Sequence, residues 1–154
     1  MLDPNLDDLY RDPVAYVTSV LHYGKRPVTL NAERRMHHFE RAKIVKEWRN
    51  AFAWLAKLNH VPRLDRVVII AQPHLKGGRM QDCDACHPSV KAAIDGLVDA
   101  GVLIDDSPPH VLEIRYMAPL PSSEDGLTIT VIARNTTIKE TNQDRKSTRL
   151  NSSH

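Results

Sequence analysis

Residues Asp82–Asp106 read DCDACHPSVKAAIDGLVDAGVLIDD, and the architecture of the chain follows from how this stretch folds. Pro88 suits the first turn of a helix, where its missing N–H is no loss. Val90, Ile94 and Leu97 recur at helical spacing, and Gly101 supplies a stop. The stretch is therefore a short amphipathic helix with acids at both ends. Asp82 and Asp84 precede it, Asp105 and Asp106 follow it, and Lys91 stands early within it. Separated carboxylates drawn together by one helix suit a magnesium-type ion, which takes hard oxygen ligands and keeps several waters. A lysine on the same rim can meet a phosphate as a point charge. Asp82 and Asp84 flank one residue, so an extended segment would point both the same way. Asp95 and Asp99 continue the helix beyond Lys91 at i+4 steps and read as surface ion-pairing acids, set aside from the site.

Outward from this helix, strands and a second helix complete a small domain. Val14–His22 and Asp65–Ala71 are rich in β-branched residues and read as strands, as do Val111–Met117 and Leu127–Ala133. Tyr23–Asn31 is a loop whose closing Asn31 is placed to cap a helix or contact a ligand. Arg34–Leu58 is the longest helical pattern: Ile44, Trp48, Ala51, Leu55 and Leu58 form an apolar stripe, widened by Val45 and Phe52. Gln72–Gln81 is a flexible basic loop with Gly77-Gly78, Lys76 and Arg79. The resulting order is β-α-β-α-β-β. This is a mixed α/β (α+β) fold in one domain over 14–135, with about four strands and two main helices.

A chain of 154 residues has room for one full core and not for two comfortable ones. No stretch approaches the roughly 18 apolar residues needed to cross a bilayer. The opening MLDPNLDDLYRDP is acidic, unlike a secretory signal, and reads as a mobile leader over 1–13. Two cysteines without an export signal fit a reducing cytoplasm. At the other end, 136–154 reads as a tail. Its final DRKSTRLNSSH, from Asp144 to His154, matches the translation of a sequencing-adapter frame residue for residue and is read as an artefact. Removing Arg145, Lys146, Arg149 and Asp144 from 21 basic and 19 acidic residues leaves eighteen of each. Net charge therefore gives no argument for a nucleic-acid partner; only its distribution does.

That distribution is uneven. Lys25 to Lys57 carries nine Lys and Arg against Glu33, Glu40 and Glu47. Helical spacing places Arg35, His38, Lys46 and Arg49 on one narrow arc. A solvated helix face explains such a run, and so does a phosphate-tracking face. A bare carboxylate site repels DNA, so a nuclease would need a basic surface elsewhere, and this helix offers one.

Cys83, Cys86 and His87 spell C-x-x-C-H, the pattern of c-type haem attachment. That chemistry needs export, and structural zinc commonly needs four ligands. Two reduced cysteines in the site loop is the simpler reading, with a small zinc module as a further alternative. No phosphate-loop, dinucleotide or nucleophile-elbow pattern is present.

The order Asp82-Cys83-Asp84, Lys91-Ala92-Ala93-Ile94-Asp95, Leu97, Ala100-Gly101 and Asp105-Asp106 resembles RusA-type Holliday junction resolvases of phages and prophages. The looser upstream likeness, a strand, an Asn31-containing loop and a long helix, extends it over roughly Val14 to Ala133. The resemblance implies a Mg²⁺-dependent homodimer, with Mn²⁺ as a substitute, that cuts four-way DNA junctions in recombination and repair. It implies Asp82, Asp84 and Asp106 as catalytic, metal-holding carboxylates, Asp105 as a further ligand or helper, and Lys91 as the essential lysine. Ala85 replaces the usual Asn, and Cys86, His87 and Pro88 lengthen the interval before Lys91. On this reading Lys25, Arg26, Asn31, Arg35, Lys46, Arg49, Lys76 and Arg79 hold the DNA. The competing expectation is a non-catalytic, DNA-binding phage regulator using the basic helix 34–58.

Overall fold

A computed structural model describes residues 15–78 and 80–134, with side chains from residue 19 onward. The leader 1–13, Arg79 and the tail 136–154 lie outside the described residues. In chain order the elements are β1 (Ala15–Tyr23), α1 (Leu30–Arg35), α2 (His38–Leu58), β2 (Val67–Leu75), α3 (His87–Asp99), β3 (Val111–Tyr116), β4 (Leu120–Pro121) and β5 (Gly126–Arg134). The mixed α+β class is as expected. The sheet has five strands rather than about four, because the short β4 forms within the loop that follows β3.

The strands run in the order β1-β5-β2-β3, with β4 beside the end of β2. β5 is antiparallel to both β1 and β2. β3 and β4 run parallel to β2. A parallel neighbour needs a crossover, and α3 supplies it between β2 and β3. Side chains alternate across the sheet. Val67, Ile69 and Ala71 of β2, with Leu127, Ile129, Val131 and Ala133 of β5, are buried beneath the helices. On the other face Val68 and Ile132 form a separate small cluster with Ile70. β2 runs on through Gln72–Leu75, residues the sequence reading placed in a loop.

The single helix expected over 34–58 is two. Thr29 rather than Asn31 caps α1, its hydroxyl accepting from Ala32 N at 3.1 Å. Met36 then turns extended, and His37 caps α2 by accepting from Phe39 N at 3.3 Å. Docking drives the break. Leu30 N donates to Ala85 O at 2.9 Å, and Val28 N to Ser89 Oγ at 2.7 Å. These bonds fix α1 against the loop before α3, while α2 must lie across the sheet. Arg41 closes the corner by donating to Glu33 O and Met36 O.

α2 buries Trp48, Phe52 and Ala56, with Ile44, Val45 and Leu55 packed against the core. Leu58, counted in the expected stripe, is instead exposed, and Ala56 takes the inner position. α3 begins at His87 with Pro88 in its first turn, as expected, and Gly101 follows it at φ 80°, a conformation that favours glycine. α2 and α3 meet at Gly96, whose missing side chain lets the Arg49 carbonyl approach.

Candidate functional site along helix α3

The segment between β2 and α3 is a run of turns and not an extended strand. Ala85 N donates to Asp82 O and His87 N to Asp84 O, each at 3.0 Å. Asp82 and Asp84 therefore do not share a direction by strand alternation, which corrects that expectation. Both side chains are exposed. Parallel pairing carries the ends of β2 and β3 toward the same edge of the sheet. Tyr116, the last residue of β3, thus arrives beside the start of α3. Its hydroxyl hydrogen-bonds His87 Nδ1 at 2.8 Å. Burial, and then the nearby charge of Asp84, raise the Tyr116 pKa above its ordinary value.

One turn further along α3 stands Lys91, and one turn beyond that Asp95. Residues four apart share a helix face at about 6 Å of rise, so His87, Lys91 and Asp95 form a ladder. Lys91 Nζ donates to Asp95 Oδ1 at 2.9 Å and also contacts the Asp106 carboxylate. The latter contact folds the segment after α3 back along the helix. Burial tends to lower the Lys91 pKa, but the bonds from Asp106 and Asp95 outweigh it and the net shift is upward. The Lys91 bond in turn holds the Asp106 carboxyl below its ordinary range.

The two closing acids do different things. Asp105 accepts from the Ser107 hydroxyl and from Ser107 N, which lowers its pKa and pins the turn. Asp106 alone reaches Lys91. The surface ion pairing expected of Asp95 and Asp99 is present in both, with different partners: Asp95 pairs with Lys91, and Asp99 leaves the ladder and pairs with Arg49 of α2.

Carboxylate oxygen is the right donor for a hard cation, but the placement does not form a ligand set. Among the described residues no three His, Cys, Asp or Glu side chains gather closely enough to hold a metal ion. Asp106, expected as a ligand, is taken by Lys91. Zinc at the cysteines fares no better. Cys83 is exposed, whereas Cys86 is buried, its thiol donates to Gln81 Oε1 at 3.4 Å, and burial pushes its pKa up to about 11.

The residues expected to hold DNA are spread over several surfaces. Asn31 lies exposed on α1, near the acid loop through the Leu30–Ala85 bond. Arg35 lies on α1, so it does not share the α2 arc with Lys46 and Arg49. Arg49 is turned toward α3 by Asp99, and Lys25 is paired with Glu47. Arg26 pairs with Asp125 at 3.0 Å, and Asp125 also accepts from Lys76 N, so these two basic residues share one corner. Lys46 is exposed and makes no ion pair among the described residues.

Sequence reasoning set His87 aside and did not single out Tyr116. His87 was legible only as part of C-x-x-C-H. Tyr116 carries no local signal, since its place depends on which strand pairs with β2. No protein-family model matches the chain, and no curated protein matches it. No helix among the described residues is long and apolar enough to cross a membrane.

Proposed function

We propose that the chain is an endodeoxyribonuclease acting on branched DNA, four-way junctions above all, in the manner of the RusA-type resolvases its central stretch resembles. The observation that carries this reading is the ladder on α3, where Lys91 stands between Asp95 and Asp106 one turn from His87, which bonds Tyr116, itself within reach of the Asp84 charge. Phosphodiester cleavage needs a cation at the phosphate and an oxygen base near the attacking water. Lys91 supplies the cation once a backbone phosphate takes the place of Asp106. Asp82 and Asp84, exposed and untied by side-chain bonds among the described residues, supply the base. Mg²⁺, or Mn²⁺ in its place, enters this reading through the resemblance alone, on which Asp82, Asp84 and Asp106 would hold it, although among the described residues these three do not gather into a ligand set. The homodimer, the phage or prophage origin and the cytoplasmic setting belong to the same reading.

Cleavage of a synthetic four-way junction tests it, with and without Mg²⁺, by wild type, Asp82→Asn and Lys91→Ala. Metal-dependent cutting that both substitutions abolish is the expected result. Equal activity of wild type and Asp82→Asn sinks the site, and cutting of linear duplex alone sinks the branched substrate.

One observation favours a second reading, a non-catalytic DNA-binding phage regulator. Asp106 is neutralised by Lys91, while the Lys43 and Lys46 ammonium groups of α2 are exposed. That reading expects metal-independent binding that survives Asp84→Asn and Asp106→Asn, with no cleavage.

A further inference from the structure

The outer face of α2 carries an arrangement that neither the core nor the α3 ladder explains. At about 100° per residue, Phe39, Lys43, Lys46, Asn50, Trp54 and Lys57 fall within about 80° of arc. Trp48, the centre of the buried stripe, lies about 180° from Phe39 on the same count. Phe39 is 72% exposed and Trp54 60% exposed. Two large aromatics on the far side of a helix from its core are not the fringe of the buried stripe. Exposed apolar groups placed this way mark a contact surface.

The surroundings of these rings say what the contact is. Phe39 lies 4.1 Å from the His38 ring centroid at 39° and 5.2 Å from the His37 ring at 26°. His37 is itself held by its capping bond to Phe39 N. The Phe39 ring is therefore propped in solvent by two neighbours, and ordering it on binding costs less than ordering a free side chain. Along the arc between the aromatics the charged groups are Lys43 and Lys46, with no acid among them. Glu47 borders the arc and is occupied by Lys25. Cations interleaved with aromatic faces match a polyanion carrying flat rings. Fifteen residues of helix separate Phe39 from Trp54 by about 22 Å, so the ligand is a strand of several nucleotides rather than a mononucleotide. In a duplex the base faces are already covered by their neighbours; only unpaired bases can stack on side chains.

We infer that the Phe39–Trp54 face of α2 binds unpaired nucleic-acid bases, with the two aromatic rings as stacking platforms and Lys43 and Lys46 on the intervening phosphates. The inference goes beyond the branched-DNA reading: a fully paired four-way junction offers no unpaired bases, so this face takes a single-stranded segment separate from the paired arms.

Fluorescence anisotropy with a labelled oligothymidine, and with a duplex of equal length, tests it in the presence of EDTA so that no cleavage intervenes. Phe39→Ala and Trp54→Ala are each expected to weaken oligothymidine binding on the order of tenfold and to change duplex binding less than about twofold. Trp48 is buried, so quenching of tryptophan emission by the oligonucleotide reports Trp54 and is expected to vanish in Trp54→Ala. Both side chains are exposed, and unchanged thermal melting confirms that the variants fold. The inference is overturned if wild type does not bind oligothymidine, as when the face takes a protein instead. It is equally overturned if the substitutions change nothing, or weaken strand and duplex alike. Cleavage of a four-way junction by a chain that fails this test leaves the nuclease reading standing. Binding without cleavage leaves this surface standing and removes that reading.

Discussion

Lys91 and Asp106 are in direct contact although fifteen residues separate them in sequence, and the same ammonium holds Asp95 at 2.9 Å. The contact distinguishes Asp106 from its neighbour Asp105, which is spent on Ser107. It also sets the electrostatics of the site. A lysine gripped by two carboxylates lowers the repulsion that bare acids would present to a phosphate backbone. On the proposed nuclease reading, arrival of a phosphate becomes an exchange of partners on Lys91.

The pair should be visible in its titration. Asp106 has a lowered pKa, so its contribution to stability is present above the ordinary value of 3.8 and is lost as pH falls through the lowered one. Lys91 has a raised pKa, so its contribution is present below 10.5 and is lost as pH rises through the raised one. The pair thus persists across the whole neutral range. Both side chains are more than a third exposed, and the pair is worth under about 1 kcal/mol. A carboxyl-carbon NMR titration should find Asp106 ionising below the ordinary aspartate range in wild type and near it in Lys91→Ala. An identical Asp106 curve in both would mean that the contact is not kept in solution.

Tyr116 offers a second check on the same ladder. Burial raises its pKa above 10.0, and Asp84 raises it further. Asp84→Asn removes the second cause and leaves the first. Tyrosinate absorbance followed against pH should therefore show Tyr116 ionising earlier in Asp84→Asn, yet still later than an exposed tyrosine. Subtracting the curve of Tyr116→Phe isolates the group. No difference between wild type and Asp84→Asn would place Asp84 away from the β3 end.

Local pattern carried the strands and α3, because period-two alternation, Pro88 and Gly101 each act within a few residues. The contact of Lys91 with Asp106 was not legible there, since the resemblance makes Asp106 a metal ligand and not a partner of the lysine. What local pattern lacked was pairing information. β3 lies parallel to β2, and nothing near Tyr116 announces that this brings its hydroxyl to His87. The break at Met36–His37 was hidden for a similar reason, since Arg34–Leu58 is helical in propensity and the turn answers to bonds made with Ala85 and Ser89. Arg49 looked like a free cation on the helical wheel, but Asp99 arrives from another helix to claim it. Composition was the most misleading signal, because the apparent basic excess came from residues 144–154.

The two cysteines should differ sharply in reactivity. Cys83 is exposed, while Cys86 is 1% exposed and its thiol is pushed up to about 11 by burial, only partly offset by Arg26. The thiolate is the reactive form, so Cys86 is protected twice at neutral pH, by access and by protonation. A colorimetric thiol reagent should modify one equivalent quickly and the second only on unfolding, and Cys83→Ser should lose the fast phase. Stoichiometric zinc in the purified protein, with both thiols protected, would overturn this and revive the C-x-x-C-H reading.

Gly96 is expected to tolerate no side chain. A Cβ built there runs into the Arg49 carbonyl oxygen and lies 3.0 Å from Ala53 N. Both obstacles are α2 backbone, so neither can swing aside as a rotamer would. Gly96→Ala also brings a gain, since alanine is favoured over glycine inside a helix by roughly 1 kcal/mol. The steric term outweighs it, because relieving the clash means prying α2 from α3 along a buried face that includes Trp48, Phe52, Ile94 and Leu97. Overpacking of this kind costs about 1–3 kcal/mol, which lowers the melting temperature by several degrees in a domain of this size. Gly101→Ala makes a useful companion: nothing lies within 4 Å of its Cβ, and its penalty comes from φ 80° alone, about 1–2 kcal/mol. If thermal melting finds Gly96→Ala as stable as wild type while Gly101→Ala falls, the two helices stand further apart than the Arg49–Gly96 approach requires.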